Sequence, residues 1–212
     1  MNSIVSEKRY ISERLGVPYE NLSQGYLRAE SPLDGGTFSS LDFTLQTNKK
    51  VGAFVTERLL DLNDEFVITN FTIGLVDADT SSTDLEHLTA VVQTFSDPAT
   101  FGVNFETLNA IYNGSLNFTI DRTEFIPDFP TSAFKRVPLT QINSANGGTA
   151  PVQNGFKNGL YGFNCSEPTR INGRQTIDLS VNLGTAIDFS ALAAVNPAVV
   201  FEARGYLVVN AK

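Results

Sequence analysis

Apolar and polar residues alternate with a period of two in five stretches of the chain. Leu41, Phe43 and Leu45 fall on one side of "SLDFTL". Val67, Phe71, Ile73 and Leu75 share a phase in "EFVITNFTIGLV", which is broken at Thr69. Leu116, Phe118 and Ile120 alternate with Asn117, Thr119 and Asp121. Ile177, Leu179, Val181 and Leu183 repeat the pattern, and so do Val199, Phe201, Ala203, Leu207 and Val209. Such alternation marks strands with one buried face. "HLTAVVQTF" and "TFGVNF" are weaker strand signals, and "FETLNAIYN" reads equally as a helical turn or a strand. The total is about nine to eleven strands separated by turn signals, which predicts an all-β sandwich or barrel. Strand is expected to outweigh helix several-fold. Phe71, Ile73, Leu75, Phe118, Ile120, Leu179, Val181, Phe201 and Leu207 are the expected core.

Helical spacing is confined to short pieces. "SEKRYISERLGV" predicts a short helix with Ser6 as N-cap and Gly16 as its stop. "DFSALAAVNP" predicts one or two turns ended by Asn196-Pro197. Residues 1–36 read as an N-terminal arm and residues 37–212 as the β-body, because strand signals begin at Thr37. The arm carries Tyr10, Tyr19 and Tyr26 but lacks apolar density of its own. It is expected to order by packing on the body or on a neighbouring subunit. Pro127, Pro130 and Pro138 exclude a central strand after residue 120 and predict a sheet edge or a surface strap. "NSANGGTAPVQNGFKNG" reads as a long loop. "GFKNGLYGFN" reads as a loop needing positive φ, packed down by Phe156, Tyr161 and Phe163.

Composition narrows the function. The chain has 212 residues, of which 42% are hydrophobic, enough for a sizeable core. Its net charge is −8, and its basic residues cluster no further than the pairs Lys8-Arg9, Lys49-Lys50 and Lys135-Arg136. Direct nucleic-acid binding is not expected, because phosphate contacts need clustered cations. No stretch reaches the length of a membrane span, and no apolar signal core opens the chain, so no membrane insertion is expected. Asn-x-Ser/Thr sites at Asn21, Asn70, Asn113, Asn117 and Asn164 read as composition in a chain rich in these residues.

Chemistry-bearing residues are few. Cys165 is the only cysteine, which excludes an intrachain disulfide and reads as a small buried hydrophobe. His87 is the only histidine. A thiolate–imidazole zinc site is therefore excluded, and any Ser-His-Asp triad would have to use His87. Asp77, Asp79, Asp84 and Glu86 crowd one loop, with Asp61, Asp64 and Glu65 upstream. Clustered carboxylates suit calcium, but the loop lacks the glycine and terminal carboxylate of an EF-hand and reads as solvated. A carboxylate-based hydrolase is a third reading, since two such groups need only meet in space. The residues assign no catalytic, cofactor-binding or metal site, and no cofactor, small-molecule substrate or enzymatic activity is expected.

The N-terminal arm, the Phe-rich β-body, the Pro-spaced strap and the ending "IDLSVNL…NPAVVFEARGYLVV" resemble capsid proteins of the viral jelly-roll type. In that ending two strands flank a short helical insertion. The acidic, cysteine-poor composition is similar to that of virion proteins of tailless bacteriophages. The resemblance spans residues 37–212. It implies a single jelly-roll-like antiparallel β-sandwich with an N-terminal arm. It also implies a non-enzymatic capsid subunit that self-assembles into a shell. Its partners would be copies of itself and other virion proteins, and its location the virion, after synthesis in the host cytoplasm. The alternative is a β-sandwich receptor- or carbohydrate-binding module of a spike or fibre. The absence of Trp removes the commonest sugar platform.

Overall fold

The computed structural model describes residues 3–33, 35–50, 56–77, 92–142, 151–157, 162–192 and 197–208. Eight long strands form two antiparallel four-stranded sheets packed face to face. The first sheet has the order β1 (Leu22–Pro32), β10 (Pro197–Val208), β3 (Glu65–Asp77), β8 (Phe163–Asn172). The second has the order β2 (Thr37–Phe43), β9 (Ile177–Asp188), β4 (Ser115–Ile120), β5 (Thr123–Pro130). The pairs β1/β10, β2/β9, β3/β8 and β4/β5 all hydrogen-bond, so the chain is one long hairpin folded at the β4–β5 turn. Wrapping that hairpin so that its pairs divide between two sheets is the jelly roll. A separate hairpin, β6 (Val137–Ile142) with β7 (Pro151–Lys157), is inserted between β5 and β8.

The tip of the long hairpin is chemically specified. Asp121 and Arg122 both have positive φ, at 49° and 70°, which is the two-residue turn whose twist matches its strands. The Asp121 carboxylate accepts hydrogen bonds from the Thr176 backbone N–H at 2.8 Å and from Gln175 Nε2 at 2.9 Å. The β4–β5 turn is thereby tied to the β8–β9 turn at the same end of the sandwich.

The interior is built from the alternating stripes. Leu41, Phe43, Phe71, Ile73, Leu75, Leu116, Phe118, Ile120, Leu179, Val181, Val199, Phe201 and Ala203 are all buried in one cluster, with Ile177 and Leu207 partly buried against it. The Phe201 ring stacks on Phe71 at 6.0 Å and meets Phe118 edge-on at 6.1 Å, which joins strands of both sheets.

Val67 departs from its predicted phase. Thr69 is unmatched opposite the Arg204/Gly205 step, so β3 bulges there. One extra residue reverses which face each side chain takes. Before the bulge Phe66 and Ile68 point into the core, and after it Phe71, Ile73 and Leu75 do. Val67 instead lies on the outer face with Tyr206 and Val208.

The first strand also begins earlier than the alternation predicts. β1 lies within residues 1–36 and pairs with β10 along its whole length, so much of the expected arm belongs to the sandwich. Before it, helix α1 (Ser3–Leu15) packs Ile11 and Leu15 against Val67, Tyr206 and Val208 on the outer face of the first sheet. The helix starts at Ser3, one turn before the predicted cap Ser6. Its predicted stop holds: Gly16 has φ +65°.

Helix is also more abundant than expected. Among the described residues strand accounts for 55% and helical turns of all kinds for 24%, so the excess is about twofold. The difference comes from α1 and from residues 98–113. There "TFGVNF", predicted as a strand, forms α2 (Pro98–Phe101) and a 3-10 turn, followed by α3 (Phe105–Leu108) and a second 3-10 turn. Phe101, Leu108, Ile111 and Tyr112 recur at helical spacing and are fully buried. Part of the predicted loop "NSANGGTAPVQNGFKNG" is strand β7. Pro127 and Pro130 lie in β5, an edge strand, and Pro138 lies in the two-stranded hairpin, as their missing N–H groups require.

Candidate functional site

A jelly roll has two open sides, where the edge strands of its two sheets face each other. Here the β1/β2 side is sealed by the chain itself. Leu45 and Leu60 are buried between the sheets there, and the Leu60 N–H donates to Leu45 O at 2.7 Å. Arg58 caps the free edge of β1 through reciprocal backbone hydrogen bonds with Arg28 at 2.8 and 2.9 Å. Charged groups fasten the seal. Arg28 Nε donates to Glu30 Oε1 at 2.7 Å, Thr56 Oγ1 donates to the same oxygen at 2.6 Å, and Lys50 pairs with Glu57. The Glu57 carboxylate also accepts the Glu30 backbone N–H at 2.8 Å.

The β5/β8 side is different. It holds a groove of about 450 Å³ floored by Phe71 and walled by Phe125, Ile126 and Phe129 from β5 and by Phe163 and Cys165 from β8. Phe129 and Phe163 meet across the gap at 4.7 Å, with their ring planes 60° apart, so an aromatic pair joins two edge strands that share no ladder. Phe163 is where "GFKNGLYGFN" was expected to pack down. The other two aromatic residues of that run, Phe156 and Tyr161, have no described side chains. Both edges carry proline, at Pro127 and Pro130 on β5 and at Pro168 on β8. These residues lack the N–H that an added strand would need. The groove therefore presents aromatic side chains without inviting strand addition.

Cys165 sits on this wall, half-buried, and burial pushes its thiol up to about 11. At pH 8 about one molecule in a thousand would carry the thiolate. Its alkylation by iodoacetamide is expected to keep accelerating from pH 8.5 to about pH 11. A rate that levels off near pH 8.5 would show an ordinary exposed thiol instead. The expected small buried hydrophobe is thus only partly buried.

Asp79, Asp84, Glu86 and His87 lie outside the described residues, and only the backbone of Asp77, at the end of β3, is described. Asp61, Asp64 and Glu65 stand at the other end of that 13-residue strand, roughly 40 Å away at 3.3 Å per residue. Asp64, Glu65 and Asp121 line a shallow depression at the β4–β5 end, where the Glu65 carboxylate accepts from Arg170 Nε at 2.7 Å. Among the described residues no three metal-ligating side chains cluster.

A third depression, of about 730 Å³, crosses the outer face of the first sheet beside α1 and is lined mainly by polar side chains. The phenylalanine groove has a partial sequence signal, since prolines marked β5 as an edge. The outer groove has none, because its residues come from four strands and a helix. No family model matches the chain, and neither does any curated protein or solved structure.

Proposed function

We propose that the protein is a non-enzymatic virion structural protein, a capsid subunit that assembles with copies of itself and with other virion proteins into a shell. A jelly roll alone does not choose a function, since the fold also serves lectins and enzymes. The observation that carries the proposal is the unequal treatment of the two open sides. One is closed by the subunit's own loop and a buried charge network, while the other keeps a phenylalanine groove between proline-bearing edges. Side chains of a neighbouring copy would fill that groove and bury its aromatic walls, the type of anchor that dominates association energy. The prolines keep such contact from spreading into open-ended strand pairing. The filled interior also argues for a surface role: Phe43, Phe71, Phe118 and Phe201 occupy the space between the sheets.

Sedimentation velocity over rising concentration, with negative-stain electron microscopy of the same samples, tests this. Closed shells or their capsomer-sized fragments are expected. Ser166→Arg, at the exposed rim of the groove, is expected to keep the fold and stop assembly. A chain that stays monomeric throughout or forms slender trimers would overturn the proposal, and so would a Ser166→Arg variant that assembles like the parent.

A further inference from the structure

The outer face of the first sheet is divided into three zones. At one end Val67, Tyr206 and Val208 are covered by α1, and at the other Val76, Ala198 and Val200 are buried with Val92 against them. Between these apolar zones the outward positions turn polar on all four strands at once. Tyr26 comes from β1, Glu202 and Arg204 from β10, Asn70 from β3 and Asn164 from β8, and Glu7 of α1 forms one wall. The depression they line, about 730 Å³, lies within the range of small-molecule sites. Strands spaced 4.7–4.9 Å make such a row roughly 15 Å wide, the reach of two or three linked sugar rings.

We propose that this groove binds a neutral oligosaccharide, with Tyr26 as the stacking platform and the Asn70–Asn164 pair reading adjacent hydroxyls. Three observations select that ligand. First, Tyr26 is 44% exposed although Arg58 sits over its ring at 5.5 Å from the centroid, so a large aromatic is braced in place and presented to solvent. An amphipathic ring held this way suits the apolar face of a pyranose. Tyr26 supplies the platform that the missing Trp had argued against.

Second, Asn70 Nδ2 donates to Asn164 Oδ1 at 2.8 Å. Whichever way the two amides are turned, this bond leaves one carbonyl oxygen and one NH₂ group side by side. A sugar hydroxyl both donates and accepts, and neighbouring hydroxyls match that pair. Third, the charge is unfavourable to anions. Among the lining residues Glu7 and Glu202 outnumber Arg204, whose Nε already donates to Glu202 at 2.7 Å; Arg58 stands beside them over Tyr26, but the whole chain carries −8. The Tyr206 hydroxyl donates to Glu7 at 3.3 Å and holds that carboxylate on the groove wall. Sialylated or sulfated glycans would meet this excess negative charge, whereas neutral hydroxyls can donate to it.

The inference does not depend on assembly, because the groove lies wholly within one chain. The test is an array of neutral, sialylated and sulfated oligosaccharides probed with the full chain. Calorimetric titration of whichever neutral glycans are retained would follow. Neutral glycans are expected to be retained, with Tyr26→Ala and, separately, Asn164→Ala each weakening binding at least tenfold. Both side chains are exposed, so melting temperatures are expected to stay near that of the parent. Retention of anionic glycans alone, of none, or of neutral glycans with equal affinity by both variants would overturn the assignment.

Discussion

Phe71→Ala is expected to destabilise the protein by about 3–5 kcal/mol, the range for removing a buried phenylalanine from a packed core. Phe71 is fully buried, and its ring centroid lies 5.3–6.1 Å from those of Phe129, Phe134, Phe163 and Phe201. Those neighbours belong to both sheets and to the turn between β5 and β6, so they cannot close the void by one small shift. Removing the ring deletes its own transfer energy and also leaves a cavity below the groove floor. Urea unfolding would show it as a lower midpoint with an unchanged slope. Phe129→Ala, at the partly exposed rim, should cost clearly less. A loss below about 1 kcal/mol for Phe71→Ala would mean that the bulge at Thr69 does not set the register described here.

That bulge also marks where the sequence stops being legible. Alternation reports strands faithfully while the parity holds, which is why β4, and β9 as far as Leu183, carry the expected faces. At Thr69 the parity reverses, and a polar residue in a strand does not say whether it faces solvent or is an inserted residue. β1 was hidden for another reason. Its outward positions include Arg28 and Glu30, which are buried by the loop after β2 and not by apolar packing. Its inward side shows only Leu27 and Ala29 in sequence, too little for a stripe. The helical connection at 98–113 was obscured because Gly102, at φ +59°, splits it between two short helices. Both candidate grooves are products of topology. The phenylalanine groove exists because β5 and β8 are edges of opposite sheets, and the outer groove because four strands bring single polar residues into one row. No spacing along the chain encodes either juxtaposition.

Glu30→Ala is expected to cost about 3–5 kcal/mol, the range for breaking a buried ion pair by removing one partner. The Glu30 side chain is fully enclosed and that of Arg28 is only 9% exposed. Alanine would strip the acceptor from both Arg28 Nε and Thr56 Oγ1. The guanidinium would then remain buried beside β1 with its main counter-charge gone. The exposed pair Glu202–Arg204 gives the contrast: Arg204→Ala should cost no more than about 1 kcal/mol, because solvent screens that site. Salt should separate the two as well, weakening the exposed pair and leaving the enclosed one nearly unchanged. Replacing Arg28 and Glu30 together by Met and Leu is expected to restore most of the loss, since the penalty lies in the unpaired charge. The same mutation bears on the shape of the molecule. Without Glu30 the loop that seals the β1/β2 side loses its anchor at Thr56, and trypsin should cut faster beside Lys49 and Lys50. If Glu30→Ala unfolds at the parental midpoint and the loop resists trypsin as before, the charge network does not hold the seal. The two sides of the sandwich would then differ only in their apolar lining, and the asymmetry that directs contact to the β5/β8 groove would rest on Leu45 and Leu60 alone.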